Sequence, residues 1–303
     1  MNLLNASEKK PSVSLSQSHW FHWLLLVLLS FIWGSSYILI KKGLVAYSAE
    51  QLASLRVCIS SLTFLPIFIS RYAQIDWSKL RYLVVVGFSG SFIPAFLFAF
   101  AQTKISSSMA GALSSLTPLF TLVLGVLFFK IPLLWRKVFG VLLGLSGALF
   151  LLLFGTDSGL SSNLSYGLLV VMGCFFYAVS VNTVKASLQE MNSVTLSAVA
   201  FSLIGIPGLA FLLSTDFLQI LQEHEQAWSS LGYIALLAIF GTVLASVLFF
   251  RLVQLTNPIF ASMVSYMIPI VALSWGFFDG ETITLYHFIG MTFILLGVYI
   301  ARR

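Results

Sequence analysis

Ten stretches of roughly 20 apolar residues follow one another along the chain, and almost every charge falls between them. A helix needs about 20 such residues to cross the hydrocarbon core of a bilayer. The stretches run from Trp20 to Ile40, Gln51 to Ser70, Tyr82 to Ala101, Ile105 to Phe129, Val138 to Phe154, Tyr166 to Val184, Val194 to Leu213, Leu231 to Gln254, Ile259 to Phe278 and Leu285 to Ile300. Of 303 residues, 59% are hydrophobic and 9% charged. Soluble domains carry about 25% charged residues, so a chain this poor in charge cannot clothe a soluble surface. The expected fold class is an all-α integral membrane protein with ten transmembrane helices. Residues 1–19, polar and rich in serine, read as a disordered tail. No A-x-A site follows the first apolar stretch, so that stretch is expected to stay as a span and not be cleaved as a signal peptide.

The net charge of +6 is explained by the positive-inside rule better than by nucleic acid, which is not expected as a partner. With the N-terminus cytoplasmic, Lys9, Lys10, Arg71, Lys79, Arg81, Lys130, Arg136, Lys137, Lys185, Arg251, Arg302 and Arg303 fall inside. Only Lys41, Lys42 and Lys104 fall outside, and Arg56 lies within a span. Both termini are therefore expected in the cytoplasm. Cys58 and Cys174 both sit in apolar stretches and suggest neither a disulfide framework nor a metal site.

The chain also repeats weakly. At an offset of 151, AGALSSLTPLFTLVLG (110–125) falls on ASMVSYMIPIVALSWG (261–276), matching Ser114 with Ser265 and Pro118 with Pro269. At 144, Trp33 meets Tyr177, Ser36 meets Ser180 and Lys41 meets Lys185; at 150, Gly140 and Gly147 meet Gly290 and Gly297. Each half, 20–156 and 157–303, holds five spans. Five is odd, so equivalent helices are expected to cross in opposite directions, the inverted-repeat plan of many secondary transporters.

FIWGSSYILIKKGL (31–44) followed by LASLRVCISSLTFLP (52–66) resembles the opening of the drug/metabolite transporter superfamily, EamA type. ISSSMAGALSSLTPLF and TNPIFASMVSYMIPIV are similar to that family's fourth and ninth helices, and GETITLYHFIGMTFILLGVYI to the run into its last. The resemblance covers residues 20–303. It implies a ten-helix bacterial inner-membrane exporter or exchanger of small metabolites, without fixing the substrate. One departure stands out: where the family often has Gly-Glu after the fourth helix, the position matching Glu281 is Lys130.

Two symmetric sets of residues are candidates for the substrate pathway. Proline leaves the carbonyl four residues earlier without its helical donor. Pro118 and Pro269 thus point to the carbonyls of Ser114 and Ser265, with Gly111 and Ser115 beside the first and Ser262 and Tyr266 beside the second. Packed kinks with serines bonding their own helix are the plain alternative. In the first span Trp33, Ser36, Tyr37 and Lys41 share a face; in the sixth, Tyr177, Ser180 and Lys185 do. Aromatic and hydroxyl groups at mid-helix suit an apolar body with a polar head; close helix packing is the alternative for the small residues. Lys41 and Lys185 are expected to face opposite vestibules and attract a substrate anion or pair with an acid at a closed gate, unless they merely anchor the helix. Lys42, turned about 100° away, is expected to anchor in headgroups. Arg56, about five residues inside its span, is expected to snorkel back to the interface.

All ten acids lie in loops, tails or span ends. Proton-coupled carriers use intramembrane acids or histidine, so a facilitator or exchanger is expected. His19, His22, His224 and His287 lie at or outside span ends, without an HExxH, which argues against an intramembrane enzyme. A lipid scramblase or flippase remains the alternative. The expected partners are the bilayer and a small-molecule substrate such as an amino acid, with no cofactor or metal; the sequence does not set the oligomeric state.

Overall fold

The computed structural model describes residues 15–129, 135–154 and 160–302. The tail 1–14, Lys130, the boundary between residues 156 and 157, and Arg303 lie outside them. The described residues are helical, with no strand among them. In chain order the main helices are α1 (Leu15–Gly43), α2 (Ala49–Arg71), α3 with its leading turn (Trp77–Ala101), α4 (Ser107–Phe128), α5 (Trp135–Phe154), α6 (Leu160–Ser187), α7 (Ser193–Leu213), α8 (Ala227–Leu255), α9 (Pro258–Phe278) and α10 (Leu285–Arg302). A short helix, Phe217–Glu223, lies in the loop before α8. Eight of the main helices are long and apolar enough to cross a membrane; α5 and α10 carry shorter apolar stretches, Val138–Gly147 and Leu285–Gly297. The first helix begins earlier than expected, taking in residues 15–19 of the predicted tail, where no Gly or Pro interrupts it.

Polar caps start the helices where the connections are short. Ser48 accepts from the Gln51 amide while the Gln51 side chain accepts from the Ser48 amide, a full capping box. Ser106 caps α4, Asn192 caps α7 and Asn257 caps α9. On the outside of the bundle Leu62, Ile206, Leu285 and Phe278 stand exposed. Such side chains suit a lipid solvent, and only closed backbone hydrogen bonding of this kind survives there.

Small residues set the packing, as is usual between membrane helices. On α7, Gly205 abuts Ser61 and Gly208 abuts Val57 of α2. On α4, Gly111 abuts Ala272, and Gly276 of α9 abuts Ser108. Gly147 of α5 meets Phe293 and Gly290 of α10, and Gly297 of α10 meets Gly140 and Gly144. In each case numbers rise on one helix as they fall on the other, so α2/α7, α4/α9 and α5/α10 are antiparallel. By contrast α1 runs parallel to α9, through Ser30 donating to the Val264 carbonyl (3.0 Å) and Trp275 donating to Ser35 (2.8 Å). Likewise α6 runs parallel to α4, through Cys174 beside Leu113 and Asn182 donating to the Thr121 carbonyl (3.2 Å). It follows that α1 and α6 are antiparallel too. The glycines that match at an offset of 150 meet reciprocally, Gly147 with Gly290 and Gly140 with Gly297.

Two helices depart from α geometry at matching places. Phe88–Phe92 in α3 and Leu237–Leu244 in α8 form π-helical turns. Gly90 in the first packs on Ser180 of α6, and Gly241 in the second packs on Ser36 of α1. These four residues also match pairwise, at offsets of 151 and 144. Such turns leave backbone groups outside the regular ladder, and they recur at functional sites.

The breaks in α4 and α9 differ from the expectation built on proline. In α4 the regular helix stops at Ser114 and restarts at Thr117, so Pro118 stands in the first turn of a new segment, where a missing N–H costs nothing. The Ser114 carbonyl is not left open: it accepts from the Thr117 hydroxyl at 2.8 Å and lies 3.8 Å from the Cys174 thiol. In α9 the break falls at Met263, and Pro269 sits inside the helix that follows.

Candidate substrate cavity

A cavity of about 70 Å³ lies among α1, α2, α3, α4, α6, α8 and α9. Its lining, mostly apolar and aromatic with a few polar groups, has the make-up of a small-molecule site. Trp33, Ser36, Tyr37 and Ile40 enter from α1, Arg56 from α2, Phe98 from α3, Ser114 and Thr117 from α4. Tyr177 and Val181 come from α6, Phe249 from α8, and Ser262, Ser265 and Ile268 from α9. Most of the lining comes in matched pairs: Trp33 with Tyr177 and Tyr37 with Val181 at 144, and Phe98 with Phe249, Ser114 with Ser265 and Thr117 with Ile268 at 151. The walls are largely aromatic. Tyr37 and Tyr177 each lie 5.8 Å, centre to centre, from Phe98, and Trp33 meets Phe249 edge-on at 4.8 Å. The Trp33 indole N–H donates to the Gly241 carbonyl at 2.9 Å, using an acceptor from the π turn of α8.

Among the described residues, one formal charge lines this space. Arg56 is 7% exposed and its Nε donates to the Thr242 hydroxyl at 2.7 Å. The Tyr177 hydroxyl also faces the guanidinium. The expectation that Arg56 snorkels to the interface is therefore overturned. Depth alone suggested the surface, but α8 brings a hydroxyl partner to the interior side of α2.

The end of the bundle beyond Ile40 is tied together by charge. Lys41 Nζ lies 2.7 Å from Asp279 Oδ2 and 2.9 Å from Glu281 Oε1, and Lys42 Nζ lies 2.5 Å from Asp279 Oδ1. Glu281 also accepts from the Ser108 hydroxyl at 2.5 Å and from the Ser107 and Ser108 amides at 3.1 Å each. Burial by itself would raise the Glu281 carboxyl. The Ser108 hydroxyl and the Lys41 ammonium outweigh it and hold the group below its ordinary value. Asp279 is lowered in the same way, Lys41 and Lys42 overcoming the effect of burial. Lys42 is thus no headgroup anchor, because the α9–α10 turn carries Asp279 within its reach. At the opposite end Lys185 Nζ donates to the Thr256 carbonyl at 2.9 Å, next to a polar cleft of about 770 Å³ lined by Gln74, Asp76, Lys79, Glu190 and Asn192.

Residues 20–153 and 164–303 both match the model of the EamA-like transporter family. This chain belongs to the EamA-like transporter family. It is 28% identical to an uncharacterized transporter of Archaeoglobus fulgidus over 93% of this chain and 98% of the relative. It is 25% identical to the uncharacterized inner membrane transporter YedA of Escherichia coli K12, over 88% and 86%. A protein named "probable amino-acid metabolite efflux pump" in Salmonella typhimurium is 25% identical over 91% and 93%. A solved crystal structure shares the fold with a TM-score of 0.60 at 16% identity, covering 95% of this chain and 97% of that one.

In this EamA-like transporter the candidate residues do not all meet. Trp33, Ser36, Tyr37, Ser114, Tyr177, Ser262 and Ser265 line the cavity. Lys41 and Lys185 stand at opposite ends of the bundle. Gly111 packs on Ala272, and Ser180 packs on Gly90. Ser115 is fully buried and donates to the Ala112 carbonyl at 2.5 Å. Tyr266 faces a different hollow with Thr292 and Tyr299, and Pro118 and Pro269 are helix residues outside the lining. Besides Arg56, the residues that sequence reasoning missed are chiefly Phe98, Phe249 and Thr117. Phe98 and Phe249 match at the same offset as Ser114 and Ser265, so the repeat held the signal.

Proposed function

We propose that this EamA-like transporter moves a small metabolite with an apolar body across the bacterial inner membrane by alternating access. Its ten helices act as two inverted five-helix repeats with both termini in the cytoplasm. The observation that carries the reading is the cavity itself, lined by matched residues of two halves whose counterpart helices run antiparallel. Two halves of similar energy, placed upside down, can exchange conformations, opening the same site to either side. In this orientation the Lys41 end faces outward and is shut, and the polar cleft beside Lys185 faces the cytoplasm. Candidate contacts are Trp33, Ser36, Tyr37, Ser114, Tyr177, Ser262 and Ser265, with Lys41 and Lys185 at the two gates. With every acid at a span end or in a loop, exchange or facilitated flow fits better than proton coupling through a central carboxylate.

The test is counterflow in liposomes of the purified protein, with labelled neutral amino acids and with lipid flip measured in the same vesicles. Saturable counterflow without lipid flip supports the reading; lipid flip without counterflow replaces it with a scramblase.

A further inference from the structure

We infer that Arg56 receives the carboxylate of the transported molecule, and that the substrate is a small carboxylate with an apolar or aromatic body. The inference rests on the transporter reading and names the chemistry of its cavity.

Arginine stays protonated under all ordinary conditions. A buried charge without a counter-ion costs several kcal/mol, and an ionisable group within a membrane span is functional by default. Among the described residues no carboxylate pairs with Arg56; the salt-bridged acids, Asp279 and Glu281, are held by Lys41 and Lys42. Its Nε bond to Thr242 uses one of five N–H donors and fixes the planar fork. Tyr177 faces the guanidinium but brings no formal charge to it. A second contact goes to the Tyr177 hydroxyl, and Arg56 lines a cavity whose walls are Trp33, Tyr37, Phe98 and Phe249.

The charge belongs to one half only. Aligning Leu52 with Leu196 at the offset of 144 places Ala200 where Arg56 stands, and the Ala200 backbone packs on Gly87 of α3. A single guanidinium matches a single carboxylate, which it can hold with two parallel bonds. Among the described residues no acid lines the cavity, so a substrate ammonium would find hydroxyls such as Ser114 and Ser265 but no ion pair. The site therefore accepts a monocarboxylate or a zwitterion and rejects a net cation.

Three probes of one shape separate these features: L-phenylalanine, 3-phenylpropanoate and phenylalaninamide. Affinity is read by thermal stabilisation of the purified full-length protein, and transport by exchange in vesicles. Both acids should stabilise the wild type and the amide should not. Arg56→Gln should weaken both acids tenfold or more. Arg56→Lys, which keeps the charge and loses the fork, should still prefer the acids over the amide. That variant and the wild-type comparison keep the test open if Arg56→Gln fails to fold. The inference is overturned if neither acid binds the wild type, if the amide binds as tightly as the acids, or if Arg56→Gln binds the acids unchanged. Acids that bind through Arg56 but do not exchange across the vesicle would leave the carboxylate site standing and remove the transporter reading.

Discussion

Glu281→Gln isolates what the charged cluster does, because the amide keeps the shape and loses the charge. In the structure the Glu281 side chain is 7% exposed and takes three hydrogen bonds besides its pairing with Lys41. Hydrogen bonds to a charged group contribute about 1.5–3 kcal/mol and neutral ones about 0.5–1.5. Three such bonds, each losing about 1 kcal/mol, give roughly 3 kcal/mol. The pair with half-exposed Lys41 adds less than about 1 kcal/mol. If the cluster forms only when the outer end is shut, the open population should rise about a hundredfold, at about 1.4 kcal/mol per tenfold. The assay places one cysteine in the cavity, Ser265→Cys, in a background of Cys58→Ala and Cys174→Ala. An impermeant thiol reagent applied from outside then labels it at a rate that follows the open fraction. Labelling should accelerate toward saturation in Glu281→Gln. The pH dependence has a definite sign: the lowered carboxyl stabilises closure above its ordinary value and loses that effect only as the pH falls through its lower folded value. Wild-type labelling should therefore be flat near neutral pH. An unchanged labelling rate in Glu281→Gln, at unchanged thermal stability, would refute a gating role for the cluster.

Three further outcomes follow from the same geometry. A reporter fused to the C-terminal end of α10 should score cytoplasmic; a periplasmic score would reverse the assignment of outer and inner ends. Gly147→Leu should lower the thermal midpoint, since even a β-carbon there would stand 2.7 Å from Phe293 and 2.8 Å from the Gly290 carbonyl, and overpacking costs about 1–3 kcal/mol. Gly232→Ala, with nothing within 4 Å, should hold or raise that midpoint; equal effects at both sites would sink the packing argument. Lys41→Gln and Lys42→Gln should both raise outward labelling of the cavity cysteine, whereas Lys185→Gln should not; a silent Lys42→Gln would return that residue to the role of an anchor.

The sequence was most legible where the signal is periodic or duplicated. Apolar length located the helices, and Gly140, Gly147, Gly290 and Gly297 stood out as part of the repeat, although only the structure shows that they form a packing seam. The matched pairs Trp33/Tyr177 and Ser114/Ser265 pointed to the cavity because both halves contribute to it. What was lost depends on neighbours far along the chain. Arg56 is turned inward by Thr242, 186 residues away, and no local rule of depth or snorkelling contains that contact. Lys42 finds Asp279 only because α1 and α9 lie side by side. The π turns leave no mark in composition, since an apolar run with one extra residue reads the same as one without. Proline was read too literally: Pro118 begins a helical segment, and its expected open carbonyl is filled by the hydroxyl of Thr117.

The π turns of α3 and α8 also date themselves. A π turn takes roughly one residue more than an α turn, so each records an added residue held in place. The two centre on Gly90 and Gly241, at the same offset that joins Ser114 to Ser265. Each rests on a serine, Ser180 or Ser36, which are counterparts themselves. Two separate insertions at one place, each meeting the same kind of neighbour, would be a coincidence; one insertion in an undoubled ancestor is enough. On this history the bulge is older than the doubling of the gene. Arg56 and Lys130, which correspond to Ala200 and Glu281 at the matching positions, are where the two halves have come to differ.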